Sequence, residues 1–277
     1  MPRGCVAVPA SGIVKFALAF PRCSGIFPRK MKSQAWPFVT PLLLFMVFLS
    51  VESFFPNQHY ALYPIKTLLV VAILAWYWRA LPPLTPTAPM LSVAVGIIGI
   101  ILWIGLDPWA MRLNVLLEEL FNRAVSSLGL DSWCLSLDTV HPIGRNPFAL
   151  YPPIYAWTLF AFRLLGISLV VPVMEELFWR GFLMRWLIRD DFASVPLGTY
   201  QPVSFCVTTA CFASVHGPEW PLAVVVGIIY GIWFVRTKGL GNVMLAHGVT
   251  NLLLALYCLI TNDWHFLSIV SPASALR

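Results

Sequence analysis

Glu175 and Glu176, followed by Arg180, are the residues best placed for acid–base chemistry, because two adjacent carboxylates and a guanidinium lie within a run of Leu, Val, Met, Phe and Trp. Ionisable groups in a membrane-type segment are costly and mark function by default. On a helix, residues four apart share a face, so Glu176 meets Arg180 while Glu175 points about 100° away without an intrahelical partner. The free carboxylate can accept a proton. Spacing alone does not identify the site, since Glu118, Glu119, Leu120, Phe121, Asn122 and Arg123 repeat the pattern among Arg112, Asn114, Ser126 and Ser127, a solvated setting. Two polar placements downstream support the second copy. Phe212 precedes His216 at the end of one apolar run, and His247 precedes Asn251 by four residues within another. Imidazoles exchange protons and an amide donates hydrogen bonds, which suits activation of a water and stabilisation of a carbonyl oxyanion. The plainer alternative is a structural ion pair at the end of a span, with Arg180, Arg185 and Arg189 snorkelling to the interface.

The elements that must hold these residues are membrane helices. Of 277 residues, 59% are hydrophobic and 11% charged, against about 25% charged in a soluble domain. Apolar runs at 37–55, 64–81, 90–106, 154–177, 203–216, 221–235 and 243–260 approach the roughly 20 residues that cross a bilayer. The expected fold is all-α, a polytopic membrane helix bundle with about seven to eight transmembrane helices. Its organisation reads as a cytoplasmic N-terminal segment 1–36, a transmembrane bundle 37–260, an extracytoplasmic loop 107–153 opening with an amphipathic helix from about Pro108 to Leu128, and a C-terminal tail 261–277. The run 203–215 is short, about 20 Å as a helix. A short or re-entrant helix there, turned back by Gly217, Pro218 and Pro221, would let His216 meet Glu175.

Net charge +6 comes from basic residues scattered beside apolar spans. They form no stripe with interleaved aromatics, so nucleic acid is not an expected partner. Their clustering after alternate spans places the N-terminus inside, and the plasma membrane is the expected location. The chain starts at Met1 or at Met31, and a cleaved signal peptide is not favoured. Six cysteines form no Cys-x-x-Cys pair and read as small hydrophobes.

Glu-Glu-x-x-x-Arg at 175–180, Phe-x-x-x-His at 212–216 and His-x-x-x-Asn at 247–251, in this order, resemble the three motifs of the CAAX-protease and bacteriocin-processing (CPBP, or Abi) family of intramembrane endopeptidases. Gly181, Tyr230 and the run Arg236 to Gly239 fit the same pattern. The resemblance covers roughly 155–260, with 1–150 similar only as generic spans. It implies that Glu175 and His216 activate a water, that His247 and Asn251 hold the oxyanion, that Glu176 and Arg180 position the helix, and that Phe212 packs beneath His216. No cofactor is the first expectation. The alternative is a divalent metal such as zinc on Glu175, His216 and His247. The implied partners are the lipid bilayer and a membrane-associated polypeptide substrate, lipidated or exported. A contrasting possibility is a non-catalytic scaffold, immunity protein or transporter that uses the same polar residues for binding, although two related halves with paired broken helices, expected of a transporter, are not found.

Overall fold

The computed structural model describes residues 29–54, 59–131, 134 and 146–267. Most of the expected N-terminal segment, most of 131–146 and the tail beyond 267 lie outside the described residues. Among those described, all regular structure is helical, as a chain without water to satisfy its amides requires. The helices are α1 (Arg29–Phe54), α2 (His59–Tyr77), α3 (Pro89–Ser127), α4 (Pro153–Trp186), α5 (Pro202–Ser214), α6 (Trp220–Thr237) and α7 (Leu240–Thr261). A single turn, Pro147–Leu150, precedes α4. Five of these, beginning in α1, α3, α4, α7 and the turn before α6, are long and apolar enough to cross a membrane. The chain is a helical membrane bundle.

Two boundaries differ from the sequence expectation. The third span does not end near residue 106: α3 continues through Pro108 for 39 residues, so the helix expected to open an external loop is the same helix. Proline inside a membrane helix is tolerated because neighbouring groups can satisfy the freed carbonyls. Likewise α4 runs 34 residues to Trp186, interrupted by π-helical segments at Gly166–Val170 and Leu177–Leu183. By contrast, α5 has 13 residues, about 20 Å of helix, in accord with the short helix expected there. The four described cysteines are all free, with Cys134 and Cys258 buried and Cys206 exposed.

Small residues let α3 and α7 approach closely, as membrane helix pairs require. A Cβ on Gly96 would lie 2.5 Å from the Ala246 carbonyl, and one on Gly99 would lie 2.6 Å from Thr250 Oγ1. The contact is also polar. Thr250 donates to the Gly96 carbonyl at 2.8 Å and receives the Tyr230 hydroxyl at 2.7 Å, joining α3, α6 and α7. At the start of α7, buried Asn242 accepts from the Ala88 amide at 2.8 Å and donates to Thr87 at 2.9 Å, clasping the Pro-rich connector before α3. Away from this seam, Lys66 of α2 and Glu52 of α1 form a buried ion pair at 2.9 Å.

Gly96→Val should therefore force α3 off α7, an overpacking cost of about 1–3 kcal/mol, seen as a lower thermal midpoint in detergent. Gly105→Ala, with nothing within 4 Å of its new methyl group, should leave that midpoint unchanged. Equal midpoints for the two variants would contradict the close crossing.

Candidate active site

Glu176 is fully buried on α4 and collects two donors on one oxygen. Arg180 Nη1 lies 3.1 Å from its Oε1, and His247 Nδ1, arriving from α7, lies 3.0 Å from the same atom. Arg180, only 1% exposed, also donates through Nη2 to the Gly227 carbonyl of α6 at 3.1 Å and lies over the Phe212 ring of α5 at 4.8 Å. The snorkelling alternative fails for Arg180. It fails for Arg185 too, which is buried and donates to the carbonyls of Gly181, Ala193 and Val195. Gly227 makes room for the network, since a Cβ there would meet Phe212 at 3.0 Å.

Glu175 is buried beside this network, and its Oε2 has no hydrogen-bond partner among the described residues. His216 follows the end of α5, where Gly217, at φ 56°, turns the chain into the next helical turn. Its Nδ1 lies 2.7 Å from the Phe212 carbonyl. A carbonyl only accepts, so Nδ1 carries the hydrogen and Nε2 holds the lone pair in the neutral ring. The Phe212 ring lies against the imidazole, with centroids 4.5 Å apart. His247 is oriented by the same logic: its Nδ1 faces a carboxylate and carries a hydrogen, which leaves Nε2 as the atom available for chemistry.

Glu175, His216, His247 and Asn251 line one cavity of about 180 Å³. Four residues from two helices, α4 and α7, and one interhelical turn are thereby brought together. Asn251 also donates through Nδ2 to the Ile167 carbonyl at 2.8 Å. Trp103 of α3 completes one wall, 6.0 Å from the His216 ring. Phe266 and Leu267, beyond α7, contribute another part of the lining. Their turn is fastened by Arg163 donating to the Leu267 carbonyl, and by His265, whose Nδ1 hydrogen-bonds Asp263 and whose Nε2 lies 3.5 Å from Asp107. Burial disfavours charge on His265, but the bonds to Asp107 and Asp263 outweigh it and hold the imidazole above its ordinary value.

Sequence spacing gave no sign of Trp103, Phe266 or Leu267, which carry no reactive group and join the cavity only through tertiary packing. The first Glu-Glu copy lies elsewhere: Glu119 pairs with Arg123 at 3.2 Å, with side chains 54% and 76% exposed. As for a metal, no group of three His, Cys, Asp or Glu side chains among the described residues is arranged to hold one. Glu175, His216 and His247 line a common cavity without forming such a set.

Residues 157–253 match the family model described as Type II CAAX prenyl endopeptidase Rce1-like. This stretch is similar to CAAX-type proteases and contains all three motifs read from the sequence. The similarity supports protease activity of the intramembrane CAAX type in general. No curated protein and no solved structure matches the chain. The matched segment contains Glu175, His216, His247 and Asn251, whereas Trp103, Phe266 and Leu267 lie outside it.

Removing one partner of a buried ion pair leaves an uncompensated charge and costs about 3–5 kcal/mol, whereas exposed pairs contribute about 0–1 kcal/mol. Glu176→Ala should thus lower the thermal midpoint sharply and Glu119→Ala should leave it within a degree or two. Similar midpoints for both would show that Arg180 and His247 do not depend on Glu176.

Proposed function

We propose that the protein is an intramembrane endopeptidase that hydrolyses a peptide bond of a membrane-associated polypeptide, lipidated or exported, by a glutamate- and histidine-activated water. The observation that carries this reading is the common cavity of Glu175, His216, His247 and Asn251. A water takes up about 30 Å³, so the cavity can hold one beside a short stretch of substrate backbone. Glu175, with an oxygen unpartnered among the described residues, accepts a proton from the water, and His216 Nε2 orients the water through its lone pair. The water oxygen bonds to the carbonyl carbon and the carbonyl π electrons move onto its oxygen. Asn251 and His247 Nε2 donate to that oxyanion. For Nε2 to donate, the His247 ring must hold both protons, with Glu176 as its counter-charge. When the oxyanion collapses, the C–N bond breaks and Glu175 returns the proton to the leaving amine. Glu176 and Arg180 position the participants from outside the cavity, and Phe212, which lines it, supports the His216 ring. The scattering of basic residues beside alternate spans supports an N-terminus inside.

The test is cleavage of a fluorescence-quenched farnesylated peptide ending in a CAAX sequence, and of its unlipidated form, by the full chain in detergent micelles. Glu175→Ala and His216→Ala should each lower kcat by roughly 10²–10⁴-fold, while Glu118→Ala should cleave like the parent. Undiminished cleavage by Glu175→Ala would sink the assignment, and no cleavage of either peptide by the parent chain would favour a binding protein. A chelator in the same assay should leave the rate unchanged; loss restored by zinc would instead give the metal role to Glu175, His216 and His247.

A further inference from the structure

In a regular α-helix the Ile167 carbonyl would accept the amide hydrogen of Val171. Here that amide bonds to the Gly166 carbonyl, one residue further back, in the π-helical segment Gly166–Val170. The next amide in the π pattern would come from residue 172, which is proline and has none. The Ile167 carbonyl therefore has neither the α-type donor from Val171 nor the π-type donor from residue 172. It receives Asn251 Nδ2 at 2.8 Å. The neighbouring Ser168 carbonyl faces Gly248, three residues before Asn251, where a Cβ would sit 2.6 Å away. Only glycine lets α7 come this close to the bulge.

We infer that Pro172 is a positioning residue: its missing amide hydrogen leaves the Ile167 carbonyl to orient the Asn251 side chain in the cavity. This rests on the proposed hydrolysis and adds a residue to it. An asparagine amide can present either its oxygen or its nitrogen to a ligand, and its hydrogen-bond partners decide which. A carbonyl pairs only with the nitrogen end. The bulge thus holds Nδ2 at the cavity wall with a second hydrogen for the oxyanion. Released, the side chain could turn Oδ1 inward, where it would repel a developing negative charge.

Pro172→Ala restores an amide hydrogen and lets the α-helical ladder close over Ile167 and Ser168. In the peptide-cleavage assay this variant should lose roughly ten- to a hundredfold in kcat, less than removing an oxyanion donor outright, with KM near that of the parent. In an Asn251→Ala background the same substitution should cost no more than about twofold, because residues acting through one another are not additive. Equal losses in both backgrounds would reduce Pro172 to a general structural role and overturn the inference. Gly248→Ala, which pushes α7 away from the bulge, should show the same dependence on Asn251 and serves if Pro172→Ala fails to fold. A crystal structure of the Pro172→Ala chain in lipidic mesophase gives a readout independent of activity. Asn251 detached from Ile167 is expected; Asn251 still bonded to Ile167 would overturn the inference. Full cleavage by Glu175→Ala, in contrast, would fail the hydrolytic reading and leave this structural result standing.

Discussion

The carboxylate of Glu176 is the constraint on which the rest of the site depends. It is fully buried and shares one oxygen between a guanidinium from its own helix and an imidazole from α7. Charge in such a place is tolerable only when paired and hydrogen-bonded, and the helices are arranged to meet that demand. Arg180, drawn inward by Glu176, reaches the Gly227 carbonyl of α6 and the Phe212 ring of α5. Phe212 in turn fixes the His216 tautomer through its carbonyl and supports the ring from below. One anion thereby sets the orientation of both histidines through two different routes.

The parts that face the cavity are held by omissions as much as by contacts. Gly96, Gly99, Gly227 and Gly248 each lack a side chain where a neighbouring helix presses in. Pro172 lacks a hydrogen where the helix would otherwise close on itself. In a bilayer, where apolar surface gains little by leaving lipid, close backbone approach and interhelical hydrogen bonds are the main forces that bring helices together. The Thr250 hydroxyl, bonded to Gly96 and Tyr230, lies one residue before Asn251. The seam that ties α3, α6 and α7 and the face that lines the cavity are thus one surface.

Much of this was legible in the sequence, for identifiable reasons. Glu175 and Glu176 separated because helical geometry gives the second glutamate an arginine and the first none; that partition survives the π-helical segment through Arg180, since the Glu176–Arg180 pair still forms. The decoy at Glu118 and Glu119 was distinguished by its polar neighbours, and it lies on an exposed helical surface. What spacing could not convey was the second donor on Glu176, because His247 is 71 residues away and nothing local announces the pairing. The continuation of α3 through Pro108 was also hidden. Proline ends helices in water, and only the surrounding bundle makes it acceptable within one. Trp103 was invisible for a related reason: its place against His216 is set by the α3–α7 crossing.

The order of the chain gives the Glu176–Arg180 pair a consequence for biogenesis. Residue 247 is synthesised after residue 180, so α4 is complete before its eventual imidazole partner exists. Because glutamate and arginine lie four apart on the same helix, the nascent segment carries its counter-ion with it and enters lipid with that carboxylate already compensated. Interhelical pairing alone would leave Glu176 to enter lipid either unpaired or neutralised by a proton. The guanidinium thus acts as a travelling chaperone for the carboxylate that later receives His247.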